Sequence, residues 1–321
     1  MSDIRVSVVL PTHRRPTFLS RAIDSVRAQT LQAWELIVVD DNDPDSAHRR
    51  ETETVMEYFA HDGRIRYLRH PHNRGGAAAR NSGIAEAAGE FVAFLDDDDE
   101  WYPTKLAAQV AQLSAAGPHV ALAYCRARVV ENGTEAPSVE RSSTRTHSLR
   151  DLLKRNTVGS TSCVLCRRKA LLEVGSFDES LPAKQDIDLY VRLAQRFEFA
   201  FVNEPLVTLH HHAQGRIGKN VEGAIRAHEI FHAKHWSLIE PYPEVVHHRL
   251  ASLGQLLLAA ERFDEARGVL WRAWRVRPWD RGTVLRIALA YRWPRAAVRS
   301  ARALMRRAAS RRREPGTEEP S

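Results

Sequence analysis

Four short apolar runs alternate with stretches of helical periodicity between Val6 and Asp96, and this alternation constrains the fold more than any other feature. VSVVL (Val6 to Leu10), ELIVVD (Glu35 to Asp40), IRYL (Ile65 to Leu68) and FVAFLD (Phe91 to Asp96) are nearly continuous in hydrophobicity rather than alternating. Strands read this way when helices cover both faces of their sheet, so the order predicts parallel βαβ units with each run near the middle of the sheet. Between the first two runs Pro16 suits the opening turn of a helix, and Leu19, Ile23 and Val26 recur at helical spacing. Further helices are predicted from Ser46 to Phe59 and from about Ala77 to Ala88, where Gly89 ends the pattern. In open sheets of this kind ligands bind beyond the carboxyl ends of the strands, so PTHRR, DDND, HNRGG and DDDDEW are predicted to border one crevice.

After Pro103 the patterning predicts a helix through Leu113, a strand at Val120 to Cys125 and a polar loop around Glu131 to His147. A helix near Leu149 to Lys154, a strand at Ser162 to Cys166, a helix at Ile187 to Arg196 and a strand near Phe199 to Val202 follow. The expected organisation is an α/β domain over residues 1–217, a helical C-terminal region over 218–313 and a disordered tail over 314–321. Within the helical region AERFDEARGVLWRAWRVRPWD resembles half of a tetratricopeptide hairpin, too little to build a solenoid.

Charge is unevenly spread. Arg262 to Arg313 holds 16 Arg against 3 acidic residues and so carries +13, leaving −6 for the remainder of a chain whose total is +7. Trp271, Trp274, Trp279 and Trp293 accompany these arginines, and Arg295, Arg299, Arg302 and Arg306 form a stripe at helical spacing. Two arrangements give that pattern: helices packed with a solvated Arg face, or a peripheral contact with an anionic membrane. No recognised nucleic-acid-binding motif accompanies the charge, so nucleic acid is not an expected partner.

No stretch approaches the 18 apolar residues of a membrane span, and the apolar run Val6 to Leu10 reads as a first core strand rather than a secretory signal. Cys125, Cys163 and Cys166 are an odd set; they suggest buried thiols in a reducing compartment, with no second cysteine pair to complete a zinc site. A cytoplasmic location is expected, with any membrane contact at the inner face of the plasma membrane.

The chemistry concentrates in FLDDDDEW, where Asp96, Asp97, Asp98 and Asp99 follow a buried strand. Like charges about 4 Å apart repel by on the order of 1 kcal/mol in water and about 4 kcal/mol at an effective dielectric of 20, so a positive group is expected beside them. Hard oxygen ligands at a strand tip suit Mg2+ or Mn2+ shared with substrate phosphates. An isolated acidic run would be read as a solvated turn, but Asp40 and Asp41 end a second strand and Gln185-Asp186-Ile187-Asp188 opens a helix.

Taken in order, these segments resemble the family 2 glycosyltransferases of the GT-A fold, whose core is a Rossmann-like, mostly parallel sheet flanked by helices. VSVVLPTHRRPTFLSRAIDSVRAQT is similar to the family's opening strand, nucleotide loop and helix, WELIVVDDND to its acidic strand end, and HNRGGAAARNSGI to its Asn-x-Gly segment. FLDDDDEWYPTKL resembles the Asp-x-Asp motif, GSFDESL the acceptor-side loop and QDIDLYVRL the general-base motif, so that the likeness spans residues 4–217.

That resemblance implies an inverting enzyme taking a UDP-, dTDP- or GDP-sugar to a glycan or lipid-linked acceptor in bacterial surface polysaccharide or glycolipid synthesis. It implies that Pro11, Thr12 and Asp41 border the nucleoside, with Asp40 supporting the turn, Arg80 near the diphosphate and Asp96 toward the ribose. Asp98, with Asp96, would hold the metal, and His212 falls where the family often has a histidine facing metal or diphosphate. His212 also reads as a hydrogen-bonded structural histidine. Asp186 matches the catalytic base, although an acid there is also what a helix N-terminus favours, and Gln185 stands where the family often has Glu. Two other functions fit parts of the pattern: a sugar-phosphate nucleotidyltransferase, whose glycine-rich phosphate loop PTHRRP lacks, and a non-catalytic module that binds nucleotide sugars.

Overall fold

The structure, a computed structural model, describes residues 4–131, 134–135, 148–211, 220–278 and 280–291. In chain order it comprises β1 (Val6–Thr12), α1 (Pro16–Arg27), β2 (Trp34–Asp40), α2 (Ala47–Phe59), β3 (Ile65–Arg69), α3 (Gly76–Glu86), β4 (Phe91–Phe94) and β5 (Glu100–Trp101). Next come α4 (Lys105–Ala116), β6 (Val120–Glu131), β7 (Thr134–Glu135), α5 (Leu149–Lys154), a 3-10 turn at Thr161–Cys163, β8 (Val164–Arg167) and α6 (Arg168–Glu173). The remainder is α7 (Gln185–Ala194), β9 (Glu198–His211), α8 (Val221–Ile239), α9 (Pro243–Ala259), α10 (Phe263–Val276) and α11 (Arg281–Ala290).

The chain forms two compact units, Met1–Trp236 and Ser237–Ser321. The first runs past the break expected at residue 217 because α8 closes back on it, with Lys234 and His235 bonded to Asp188 of α7. It is built on one sheet in the order β3-β2-β1-β4-β8-β6-β9-β5, with β7 paired to β6. β1, β2, β3, β4, β6 and β9 point one way and β5, β7 and β8 the other. This is the mostly parallel, helix-flanked α/β architecture that the alternation predicted.

All seven residues of β2 are buried, and Val6, Val8, Val9 and Leu10 of β1 have no exposure. Leu19, Ile23 and Val26 of α1 seal one face of these strands with no exposure of their own, and burying side chains of this size stabilises by about 1.5–3 kcal/mol each. β3 departs from expectation: it stands at the edge of the sheet, and its residues are only half-buried or exposed. Its arginines explain this, since Arg66 and Arg69 reach Glu86 and Glu53 at the surface. The polar stretch from Glu131 begins as the end of β6 and as β7; the rest of it, to His147, lies outside the described residues. All three cysteines are free and buried.

In the second unit α9 packs on α10 and α10 on α11. Gly254 permits the first contact, since a Cβ there would lie 2.5 Å from Leu270 Cδ2. Trp279, Trp293 and the arginine stripe lie outside the described residues, as does the tail expected over 314–321. Among the described residues no helix is long and apolar enough to cross a membrane.

A second glycine sets how closely α3 approaches β1: a Cβ on Gly83 would lie 2.3 Å from Cγ1 of the fully buried, β-branched Val9. Gly83→Ala is expected to lose about 1–3 kcal/mol of stability in urea titration through overpacking, and Val9→Ala on the same background is expected to recover part of it.

Candidate active site

Beyond the carboxyl ends of β1, β2 and β4 opens a cleft of about 1400 Å3, walled by the loop after β1, the turn after β4, the first turn of α3 and the start of α7. Pro11, Thr12, Asp41, Arg80, Asp96 and Asp98 line it, and Asp186 lines it too.

The four aspartates after β4 divide by side. Asp97 and Asp99 are the buried pair, each 5% exposed, Asp97 still bordering the cleft within 3.5 Å of Arg15 Nη1. Asp97 accepts a hydrogen bond from Thr12 Oγ1 at 2.9 Å, which ties the turn to the end of β1. Asp99 accepts from Ser162 Oγ at 2.6 Å and from the backbone N–H of His210 at 3.2 Å, which ties it to the turn before β8 and to the end of β9. Burial pushes the Asp97 carboxyl up to about 7, against the pull of Arg15 and with added repulsion from Asp98. Burial, then the charges of Asp96 and Asp98, hold Asp99 well above the usual carboxylate range.

Asp96 and Asp98 turn outward to the cleft, and each meets an arginine. Arg15 from the loop after β1 donates to Asp98 at 2.5 Å, and Arg80 from α3 donates to Asp96 at 2.5 Å. Arg21 holds the turn from below through the Asp98 carbonyl at 2.9 Å. Among the described residues no group of three or more His, Cys, Asp or Glu side chains is placed to hold a metal ion.

On the β2 side, Asp41 faces the cleft but its oxygens are engaged. They accept from the backbone N–H groups of Arg74 and Gly75 at 2.8 and 2.7 Å, and Asp41 lies 2.7 Å from His70 Nδ1. These bonds fold the HNRGG segment over the strand end, and Gly75, at φ 88°, supplies the left-handed residue that starts α3. Asp40, grouped with the nucleotide-side residues as the support of their turn, does not itself line the cleft. It has no exposure, and it pairs with Arg49 Nε at 3.1 Å, with Tyr67 Oη at 2.5 Å and with the Asn42 backbone N–H at 2.9 Å. Its role in this geometry is to support the turn from beneath.

Across the cleft, Asp186 sits in the first turn of α7 and accepts from Asn156 Nδ2 at 2.6 Å. Burial raises its carboxyl above the ordinary value, opposed by the Ile187 backbone N–H, the Arg80 charge and the Asn156 amide. Lys184, just before the helix, is in the left-handed region at φ 63°, a conformation that costs a non-glycine residue on the order of 1–2 kcal/mol. Gln185 spends its amide on the Leu181 carbonyl at 2.8 Å. Phe177 of the GSFDESL segment lines the cleft edge-on to Phe94 and beneath the Arg80 guanidinium, and Asn81 of α3 bonds both its backbone groups at 2.9 Å.

His212 lies outside the described residues, and its neighbour His210 places Nε2 2.7 Å from Glu100 Oε1. Sequence reasoning gave no role to Arg15 or Asn156, and named Asp97 and Asp99 only as members of the acidic run. For Arg15 the signal was present, as a third basic residue in HRR beside a strand end facing four carboxylates; for Asn156 no motif marks it.

This sheet order, with its cleft beyond the carboxyl ends of the strands, gives the first unit a GT-A type fold. S. aureus TarS 1–349 in complex with UDP-GlcNAc superposes with a TM-score of 0.58 at 15% identity, over 89% of this chain and 90% of that one. The Glycosyl transferase family 2 profile matches residues 7–175, more than half of the chain, and the chain belongs to that family. It is 32% identical over 197 residues to WcaA of Escherichia coli K12, assigned as a colanic acid biosynthesis glycosyl transferase, covering 60% of this chain and 67% of WcaA. It is also 37% identical over 113 residues to E. coli WfgD, a UDP-Glc:α-D-GlcNAc-diphosphoundecaprenol β-1,3-glucosyltransferase. That match covers 35% of this chain and 42% of WfgD.

Asp40→Ala is expected to act on stability. Arg49, 5% exposed at its side chain, would be left without its buried counter-charge, at a cost of about 3–5 kcal/mol measurable as a lower urea midpoint.

Proposed function

We propose that the protein is an inverting, metal-dependent glycosyltransferase that moves a sugar from a UDP-, dTDP- or GDP-sugar to a hydroxyl of a glycan or lipid-linked acceptor in bacterial surface polysaccharide synthesis. The observation that carries this reading is that Asp186, a carboxylate with a raised pKa, and the Asp96 and Asp98 pair line one cleft from separate elements. Membership of the family and the names of WcaA and WfgD support the polysaccharide context.

In the reaction the acceptor oxygen attacks the anomeric carbon from the face opposite the diphosphate. A new C–O bond forms as the bond from that carbon to the diphosphate oxygen breaks, and the hydroxyl proton passes to Asp186. The electron pair of the broken bond leaves with the nucleoside diphosphate, toward which Arg15 and Arg80 are the nearest candidates to turn from Asp98 and Asp96. Asn156 orients the base through its 2.6 Å hydrogen bond. Two outward carboxylates without a closed cage fit Mg2+ or Mn2+, which takes one or two carboxylates and completes its shell with phosphate oxygens and water. Such an ion, held by Asp98 and Asp96, would supply positive charge where the leaving diphosphate becomes more negative. On the second unit Trp271 is 40% exposed and Arg272 is exposed on α10, which supports a peripheral contact with the anionic inner face of the plasma membrane.

Asp186→Asn is expected to lower transfer by about 10²- to 10⁴-fold while UDP affinity, measured by calorimetry, changes little. For the wild type, turnover is expected to fall with acid at a pH above the ordinary carboxylate value of 3.8, because the base must be ionised and its folded pKa is raised. The same raised pKa is a stability cost that is absent below the unfolded value and grows as pH rises through the folded one. Asp186→Asn is therefore expected to unfold at a higher temperature than wild type near neutrality and to lose that advantage in acid. Asp98→Ala is expected to abolish the activity response to Mn2+ or Mg2+ titrated back after chelation. Release of pyrophosphate instead of nucleoside diphosphate would replace the reading with a nucleotidyltransferase.

A further inference from the structure

Two residues beyond the proposed base, α7 carries a second acid, Asp188, with no exposure and no face on the cleft. Three basic residues close on it. Arg192, one turn further along α7, places Nε at 2.9 Å; Lys234 and His235 of α8 place Nζ at 3.0 Å and Nε2 at 2.8 Å. Burial alone would raise this carboxyl, but His235, Arg192 and Lys234 together hold it below its ordinary value.

Two of these groups also grip the segment that leads to the base. Arg192 donates to the backbone oxygens of Val174 and Ser176, the latter at 2.5 Å. Lys234 bridges from Asp188 to Asp178 at 2.5 Å, and Asp178 in turn accepts from Ser180 Oγ at 2.6 Å. Gly175 and Ser176 are both left-handed, at φ 81° and 55°, so the segment is a sharp turn whose path needs outside support. Its other members, Phe177 and Glu179, line the cleft, and the chain continues through Lys184 into Asp186. A buried carboxylate with its cations is seldom more stabilising than apolar packing of the same volume, so what this cluster contributes is location.

We infer that Asp188 and Lys234 are positioning residues for the acceptor side of the reaction: through them α8 fixes the turn at residues 174–181 against the start of α7 and so sets Asp186 where an acceptor hydroxyl reaches it. The inference rests on Asp186 being the base. The four residues of the cluster make no described bond to the ends of β1, β2 and β4; the turn they hold does meet α3 and the HNRGG segment, through Asn81 to Phe177 and Glu179 and through Arg74 to Glu179, so UDP affinity is read beside the Asp186 titration.

The test compares Lys234→Met and Lys234→Arg with wild type in three measurements: carbon-13 NMR titration of the Asp186 carboxyl, hydrogen exchange of the amides of residues 175–181, and UDP binding by calorimetry. Lys234 is 30% exposed at its side chain, and Asp188 keeps Arg192 and His235 when it is replaced, so the variant is expected to fold, with its far-UV circular dichroism as the check. Lys234→Met is expected to speed exchange of those amides by about tenfold and to lower the Asp186 pKa by about half a unit, as the loosened turn lets water reach the carboxyl. UDP affinity is expected to stay within about twofold, and Lys234→Arg to restore wild-type values. Asp178→Asn, which cuts the bridge at the turn and leaves Asp188 with its partners, is expected to give the same rise in amide exchange; it also removes a negative charge, which lowers the Asp186 pKa whether or not the turn moves, so its readout is the exchange alone.

Removing a positive charge without moving the turn would raise the Asp186 pKa. A rise, or no change, in the Asp186 pKa of Lys234→Met would overturn the inference, and so would unchanged amide exchange at residues 175–181 in Asp178→Asn. Failure of wild type to bind UDP would count against the donor reading alone, because the Asp186 titration still reports the coupling.

Discussion

Four consecutive carboxylates at the end of a buried strand cannot share one surface, and the rest of the first unit is arranged around how their repulsion is relieved. Asp97 and Asp99 turn into the protein, where Thr12, Ser162 and the His210 amide hold them, and so the turn is stitched to β1, β8 and β9 at once. Asp96 and Asp98 turn out and draw Arg80 and Arg15 from opposite walls. The inner pair fixes where the turn sits. The outer pair gives the cleft its charge.

That division also explains why Thr12 and Asp41 have little hydrogen-bonding capacity left over. Thr12 is 1% exposed with its hydroxyl on Asp97, and Asp41 is occupied with the HNRGG backbone. What they shape is the course of the two loops, so the groups offered to a ligand there are mainly backbone atoms and the arginines. A cleft whose walls are tied together by buried acids keeps its shape at the cost of several desolvated carboxylates, as functional sites often do.

Much of this was legible in the sequence where burial leaves a periodic trace. The continuous apolar runs of β1, β2 and β4 and the spacing of Leu19, Ile23 and Val26 reported two-sided burial, and strand tips in such a sheet converge by geometry. β3 was misplaced as central because IRYL is apolar enough on its own, and strand order follows from long-range pairing that no local window records. The inward and outward split of four identical aspartates left no trace either, since it depends on partners such as Ser162, 63 residues from Asp99. The same distance problem hid Asp188, whose lysine lies 46 residues away. Asp186, by contrast, stood out through motif likeness, and the structure adds the Asn156 contact that no motif marks.

β8 runs against β4 and β6 on either side of it. Its amino end therefore lies at the rim where its neighbours present their carboxyl ends, which is how Ser160 and Thr161 come to line the cleft. One rim is thus assembled from two kinds of connection, those leaving the parallel strands and the one entering the reversed strand. Residues just before β8 can lengthen or change without disturbing the pairing of β1 with β2 and β4, so this border of the cleft is adjustable apart from the floor that those strands form.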